Sequence, residues 1–578
     1  MRSFALFLLA VGGMLAEVPA TDSRNTQIPD TNTPFPMPKF GTLAEWEARK
    51  KVLRSQILTA AGLDPMPEKS PLNSQVFGKI SARDYSIEKV LIQTLPGYWL
   101  GGNLYRPVGK SGKFPGVVSP HGHWTYGRLE HTPSASIPAR CINLARQGYV
   151  VFAYDMVGYN DTMQTGHGFG GKAELLWSFH ALGLQTWNSI RAVDFLQSLP
   201  DVDPDAIGAT GASGGGTQTF MLAAIDKRVK VSVPVNMISG IMQGGSVCEN
   251  APGLRVNAIN VEFGAMMAPR PMLMVSATGD WTRNTLEQEY PATKGIYELY
   301  DRASLVEAVR IDAPHNYNKD SREAVYRFFA KHLKKDSNWE SYKEQNIRLE
   351  KLNDMLALHG RVLPPGALAY DALFALWKAK ATAQVDRIAD KEERRRLLRA
   401  AIGAEWPTRV ESEPGKAVLT RLGTGDRVAG VWIEGQGDPM LAVHPDGAEA
   451  ARNMPEVLKA IAAKRPVLMI DAFQTGAAVA PRKRNATHFI TFNRTDDQAR
   501  VQDILTALRW LEAMGKPELV GTGKSAVWCR FAAALAPIPL TVRAATSFTG
   551  TDREFEDQFL VPGIQRAGGW RSALLLTR

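Results

Sequence analysis

Along the first half of the chain, short apolar runs alternate with longer segments in which apolar residues recur every three or four positions. The runs FPGVVSP, GYVVFAYD, AIGATGAS, KVSVPVN and RPMLMVSA contain little polar alternation, the pattern of strands buried on both faces. Between them lie ASIPARCINLARQ and TWNSIRAVDFLQSL, long and periodic enough for helices. This rhythm predicts a parallel sheet covered on both sides, so the fold class is α/β. Upstream, SIEKVLIQTLPGYWLGGNLYRP places two β-rich runs around Pro96-Gly97, a hairpin. Earlier still, Thr42-Leu-Ala-Glu45 fits a capping box and opens a helix through WEARKKVLRSQIL.

From 337 to 401 the pattern turns charged and helical (LEKLNDMLALHG, KEERRRLLRAAIGA), broken at Pro364-Pro365-Gly366; it reads as a helical connector. The strand and helix rhythm then resumes. DPMLAVHPDG, RPVLMIDAF, QDILTALRWLEAM and PELVGTGKSAVWCRFAAAL follow the order of FPGVVSPHGH, GYVVFAYDM, SIRAVDFLQSL and DAIGATGASGGGTQTFMLAAI, as a diverged internal copy would. The final AGGWRSALLLTR is aligned with the strand APRPMLMVSA. The expected organisation is a leader over 1–20, an arm and helix over 21–75, a main domain over 76–336, the connector over 337–401 and an incomplete second copy over 402–578.

The leader expectation comes from a single early Arg2, an apolar run from Phe4 to Ala16 and small residues up to Ala20. That run is too short to span a bilayer, so it predicts export to the periplasm or beyond, with no membrane association after cleavage. Three cysteines, Cys141, Cys248 and Cys529, sit far apart without CxxC or zinc-type spacing, so no disulfide framework follows. The net charge of +10 is concentrated in runs such as KEERRRLLRA. Without a recognition module or interleaved aromatics it does not predict nucleic acid binding.

Two glycine-rich turns carry the candidate chemistry. Gly521-Thr-Gly523-Lys-Ser525 resembles the end of a phosphate loop, but Glu518 stands where that loop needs its first glycine, and a carboxylate there repels phosphate. In the internal alignment this turn matches Gly211-Ala-Ser213-Gly-Gly215, with Gly523 at the central position. The first-half turn follows a predicted strand and precedes a helix, the setting in which a tight turn lifts a serine hydroxyl above a sheet edge. Ser213 is therefore the candidate nucleophile, and it needs a base and an orienting acid. His315 in DAPHNYN and Asp280 in ATGDWT end later strands and supply them; Glu249 in CENAPGLR is the alternative acid, and Asp312 is nearer the base but within a strand. Oxyanion donors are expected at the N–H groups of Gly214 and His123. His121 and His123 form no metal set, lacking a third ligand at suitable spacing; no metal or cofactor is expected. Of the neighbouring aromatics, Trp124, Tyr126, Trp177 and Trp281, only Trp124 and Trp281 are expected at the pocket.

SPHGHW, YDMVGYNDT, GASGGG, ATGDWT and DAPHNYN together resemble the α/β-hydrolase superfamily, in the branch of acetyl xylan esterases, dienelactone hydrolases and prolyl-oligopeptidase-type domains. The resemblance covers roughly residues 76 to 335 and is similar in particular to large exported bacterial proteins of acetyl xylan esterase type. It implies an exported serine carboxylester hydrolase with Ser213, His315 and Asp280 as triad, which deacetylates xylan or a related decorated plant polysaccharide, or cleaves a small ester, through an acyl-enzyme on Ser213. The alternatives are a glucuronoyl-type esterase, a small prolyl-oligopeptidase-type peptidase, and a noncatalytic glycan-binding protein with two hydrolase-like lobes. The second copy is expected to be inert, because Gly523 has no hydroxyl.

Overall fold

The computed structural model describes residues 17–412 and 417–577, so most of the expected leader lies outside the described residues. Two compact units are present, one built from Thr31–Gly170 and Phe179–Trp377, the other from the described residues up to Asp30, Gly171–Ser178 and the described residues from Lys378 onward. Among the described residues no helix is long and apolar enough to cross a membrane.

The first unit is organised by a nine-stranded sheet: β1 (Gln75–Ser81), β2 (Tyr85–Leu95), β3 (Tyr98–Pro107), β4 (Phe114–Val118), β5 (Val150–Tyr154), β6 (Val202–Ala212), β7 (Val229–Val235), β8 (Met272–Gly279) and β9 (Val306–Pro314), in the order β1-β2-β3-β5-β4-β6-β7-β8-β9. The hairpin β2–β3 and its neighbours are antiparallel; from β5 to β9 every pairing is parallel. All five residues of β5 are buried, as apolar runs without alternation require in a doubly covered sheet. The flanking helices start where the sequence provides caps: Ser136 accepts from the Ala139 N–H ahead of Ile137–Arg146, and Thr42 accepts from the Glu45 N–H ahead of Leu43–Ala60. The Glu45 carboxylate reaches back one residue further than a capping box prescribes, to the Gly41 N–H at 2.8 Å. Because β5 and β6 lie on opposite sides of β4, the loops leaving β4 and β6 face each other at a topological switch point, where open parallel sheets place their ligands.

The second unit holds β10 (Val410–Ser412), β11 (Val418–Arg421), β12 (Asp426–Ile433), β13 (Met440–Val443), β14 (Val467–Asp471), β15 (Glu518–Gly521) and β16 (Thr541–Arg543), ordered β10-β11-β12-β14-β13-β15-β16. That is the order of the first seven strands of the other sheet, with the same switch from antiparallel to parallel. The segment aligned with β8 differs from expectation: Gly569–Leu576 is a helix, because Trp570 and Ala573, three apart, bury one face at helical spacing.

Two further expectations are revised. The interval 337–401 is helical only at Leu352–Met355, Tyr370–Asp386 and from Lys391, apart from a 3₁₀ turn at Trp339–Ser341. Its earlier part is held irregular by tertiary bonds such as Arg322 to Glu344 at 2.6 Å and the Gln345 N–H to Asn143 at 2.8 Å. The arm expected over 21–75 divides at Asp30. Before that point the Arg24 guanidinium bonds Asp22 and Asp503, each at 2.6 Å, and Val18, within the expected leader, packs with Val418 and Ala429.

Candidate active site

Ser213 occupies the single residue between β6 and the helix Gly214–Ile225, at φ 58° and ψ −126°. A side-chain-bearing residue in this region stores of order 1–3 kcal/mol of strain. The surrounding backbone holds it there by close approach. At Gly211 a Cβ would stand 2.6 Å from the Pro120 and Gly215 carbonyl oxygens, and at Gly215 one would stand 2.8 Å from the His121 carbonyl oxygen. On the facing loop, a Cβ at Gly122 would meet the Ala212 carbonyl oxygen at 2.8 Å and the Ser213 Cβ at 3.1 Å. The glycines thus press the β4 loop onto the serine turn. Ser213 is half-buried, and among the described residues its hydroxyl forms no hydrogen bond and the N–H groups of His123 and Gly214 donate to no acceptor. In the second unit Gly523, the first residue of the helix Gly523–Leu535, also takes a positive φ, 53°, at the matching turn.

His315 and Asp280 leave the ends of β9 and β8, which pair directly. Asp280 is buried, with Oδ2 2.7 Å from His315 Nδ1; its Oδ1 accepts from the Thr282 N–H at 2.7 Å and hydroxyl at 2.5 Å. A carboxylate fixed in this way holds the proton on Nδ1 and leaves Nε2 as the basic nitrogen. Nε2 is buried and without a hydrogen-bond partner among the described residues, and no hydrogen bond joins it to Ser213. The imidazole lies against Trp281, centroids 4.4 Å apart, and Trp124, 6.1 Å away. Trp124 Nε1 stands 3.1 Å from the same Gly122 Cβ position that touches Ser213, so this indole connects the serine turn with the histidine.

Glu249 is placed elsewhere. Its carboxylate accepts from the N–H groups of Gly245 at 2.9 Å and Ser246 at 3.0 Å and from the Thr217 hydroxyl at 3.2 Å, and no hydrogen bond links it to His315; it ties a loop rather than orienting the base. Asp312 accepts from Thr278 at the sheet surface. Trp177 belongs to the second unit, where its indole donates to Asp552 at 2.9 Å, and Tyr126 is exposed.

A buried ionic core supports the β4 loop. Arg128 bridges Asp155 and Asp161 and donates to Asn103 at 2.7 Å. Burial pushes the Asp155 carboxyl up to about 6 against the opposing pull of Arg128. His121 is consumed by structure: Nδ1 donates to the Gly122 carbonyl at 2.7 Å and Nε2 accepts from the Met156 N–H at 3.0 Å, while burial pushes its pKa down to about 3. His123 turns away from it. Its Nε2 lies 3.2 Å from Nε2 of His167 and 3.1 Å from Sγ of Cys248. This three-residue cluster is invisible in the sequence, where the members are tens of residues apart and no short spacing joins them.

No family model matches the chain. Over 307 residues it is 26% identical to YtaP of Bacillus subtilis (strain 168), to which a hydrolase function is ascribed; the match spans 50% of this chain and 99% of YtaP. It is 25% identical over 247 residues to the 4-O-methyl-glucuronoyl methylesterase of Schizophyllum commune (strain H4-8 / FGSC 9210), spanning 41% of this chain and 57% of that protein. The solved structure of methylesterase BT1017 superposes with a TM-score of 0.51 at 28% identity, over 60% of this chain and 78% of the methylesterase. The chain is similar to esterases of the α/β-hydrolase type, as its motifs lead one to expect.

Proposed function

We propose that this chain is a serine hydrolase of sugar esters. The observation that carries the reading is the Asp280–His315 pair at 2.7 Å, whose buried Nε2 has no hydrogen-bond partner among the described residues and which shares the Trp124 wall with the strained Ser213 turn. His315 Nε2 takes the Ser213 proton as Oγ attacks the ester carbonyl. The oxyanion forms toward the His123 and Gly214 N–H groups, and the imidazolium returns the proton to the leaving alcohol. A water deprotonated by His315 then attacks the acyl-serine, releases the acid and restores the hydroxyl.

Between the two ester chemistries the sequence raises, a uronic acid methyl ester is favoured over an acetylated xylan, because two of the similar proteins are methylesterases. In that case methanol leaves and the sugar carboxyl is the acyl group. The second lobe is inert in this reading, since Gly523 offers no nucleophile, and the enzyme is exported to the periplasm or beyond. The experiment is a panel of methyl glucuronate and methyl galacturonate esters, acetylated xylan and p-nitrophenyl acetate, run with wild type and Ser213→Ala. The reading requires wild-type turnover of at least one sugar ester that Ser213→Ala abolishes. Equal activity of both proteins, or none in either, refutes it.

A further inference from the structure

His123, His167 and Cys248 come from three separate loops of the first unit, and all three ligand atoms lie within 4.8 Å of one another. With metal–nitrogen bonds of about 2.0–2.1 Å and a metal–sulfur bond of about 2.3 Å, the edges of a tetrahedral site measure roughly 3.3–3.6 Å. The observed separations from His123 Nε2, 3.2 Å to His167 Nε2 and 3.1 Å to Cys248 Sγ, are within about half an ångström of such edges.

The protonation pattern favours an ion as well. His167 Nδ1 is 2.7 Å from the Val157 carbonyl oxygen, so Nδ1 carries the ring proton and Nε2 presents its lone pair to the cluster, the outer-sphere arrangement that orients metal-binding histidines. His123 Nδ1 has no partner among the described residues and is free to carry the proton of its ring, which turns the second lone pair inward. The Ser246 hydroxyl is 3.3 Å from His167 Nε2, a further polar group at the edge of the cluster. Both imidazoles are half-buried and the thiol is buried, so the cluster is reached from the imidazole side.

We propose that His123, His167 and Cys248 form a mononuclear site for a borderline-soft divalent ion of the zinc class, with a fourth position open to water or another small ligand. Two imidazoles and one thiolate select such an ion over magnesium or calcium, which take oxygen donors. Binding releases the thiol proton to solvent and leaves a sulfur–metal bond. Because the His123 backbone follows the Gly122 contact on Ser213, an ion on its ring would also clamp the β4 loop beside the serine turn.

The test uses the full chain, stripped with a chelator and then titrated with zinc chloride by calorimetry, bound metal being counted by mass spectrometry. Cobalt chloride serves as the spectroscopic probe. One equivalent per chain is expected, with a thiolate-to-cobalt charge-transfer band; His167→Gln and Cys248→Ser should each lose the equivalent, and Cys248→Ser the band. A wild type that binds no stoichiometric zinc, a cobalt complex without the thiolate band, or binding unchanged in both variants overturns the site. The wild-type cobalt spectrum decides even if a variant fails to fold. No substrate is involved, so failure of the esterase reading leaves this outcome intact.

Discussion

Gly122→Ala isolates the contact between the β4 loop and the serine turn. Gly122 is outside the left-handed region, so alanine fits its backbone and the whole effect is steric. The added Cβ meets the Ala212 carbonyl oxygen at 2.8 Å, the Ser213 Cβ at 3.1 Å and the Trp124 Nε1 at 3.1 Å. The first two belong to a turn that is itself locked by Gly211 and Gly215. Since nonbonded heavy atoms settle near 3.5 Å, the loop must retreat by on the order of 0.5 Å. Oxyanion donors act at about 2.7–3.1 Å, so that retreat takes the His123 N–H out of range. Losing one donor lowers kcat by roughly 10²–10³, about 2.7–4 kcal/mol, while overpacking of this kind costs about 1–3 kcal/mol of stability. The assay is kcat and KM on the best ester of the panel, with unfolding followed by circular dichroism. Gly295→Ala is the control, because a Cβ there meets nothing within 4 Å, and it should keep full activity. A Gly122→Ala enzyme with wild-type kcat and stability would refute the packing argument and the oxyanion role of His123 together.

Asp280→Asn keeps the shape but removes the charge that fixes the His315 tautomer; kcat should fall by about 10⁴ with little change in thermal midpoint. Arg128→Met strands Asp155 and Asp161 in the interior, and urea unfolding should show a loss of roughly 3–5 kcal/mol. His180 is held neutral, with Nε2 donating to the Ala60 carbonyl at 2.7 Å and Nδ1 accepting from the Gly183 N–H at 3.2 Å, and burial pushes its pKa down to about 4. Between pH 6.5 and 4 the unfolded chain binds the extra proton, so stability contributed by this group is complete above that window and declines as pH falls, by at most about 1.4 kcal/mol per pH unit. His180→Asn should flatten the slope of the urea midpoint in that window, and an unchanged slope would count against the assignment.

The parts of the site that were legible in the sequence are those encoded locally. Ser213 stands out because a strand, a glycine-flanked serine and a helix stand consecutively, and Asp280 and His315 because each follows a strand later in the chain; the 2.7 Å pairing of the last two is supplied by the fold. The alternation of strands and helices likewise made the α/β class legible, whereas the strand order within each sheet is set by the fold. What was not legible depends on distant partners. His167 and Cys248 meet His123 only through the fold. Arg24 looks like part of a polar arm until Asp503 is brought to it. The segment ending in Leu574-Leu575-Leu576 looks like a strand by composition, and becomes a helix because burial selects Trp570 and Ala573 on one face. Glu249 was a plausible acid by loop position alone; its oxygens are occupied by two backbone N–H groups and a hydroxyl.

A fluorophosphonate attaches covalently to activated serines and so reports whether His315 makes the Ser213 hydroxyl nucleophilic. Intact mass and peptide mapping of the treated full chain should reveal one adduct, on Ser213, formed far more slowly in His315→Ala. Sugar-ester turnover by a protein that takes no adduct at Ser213, or takes it at another residue, would contradict the account.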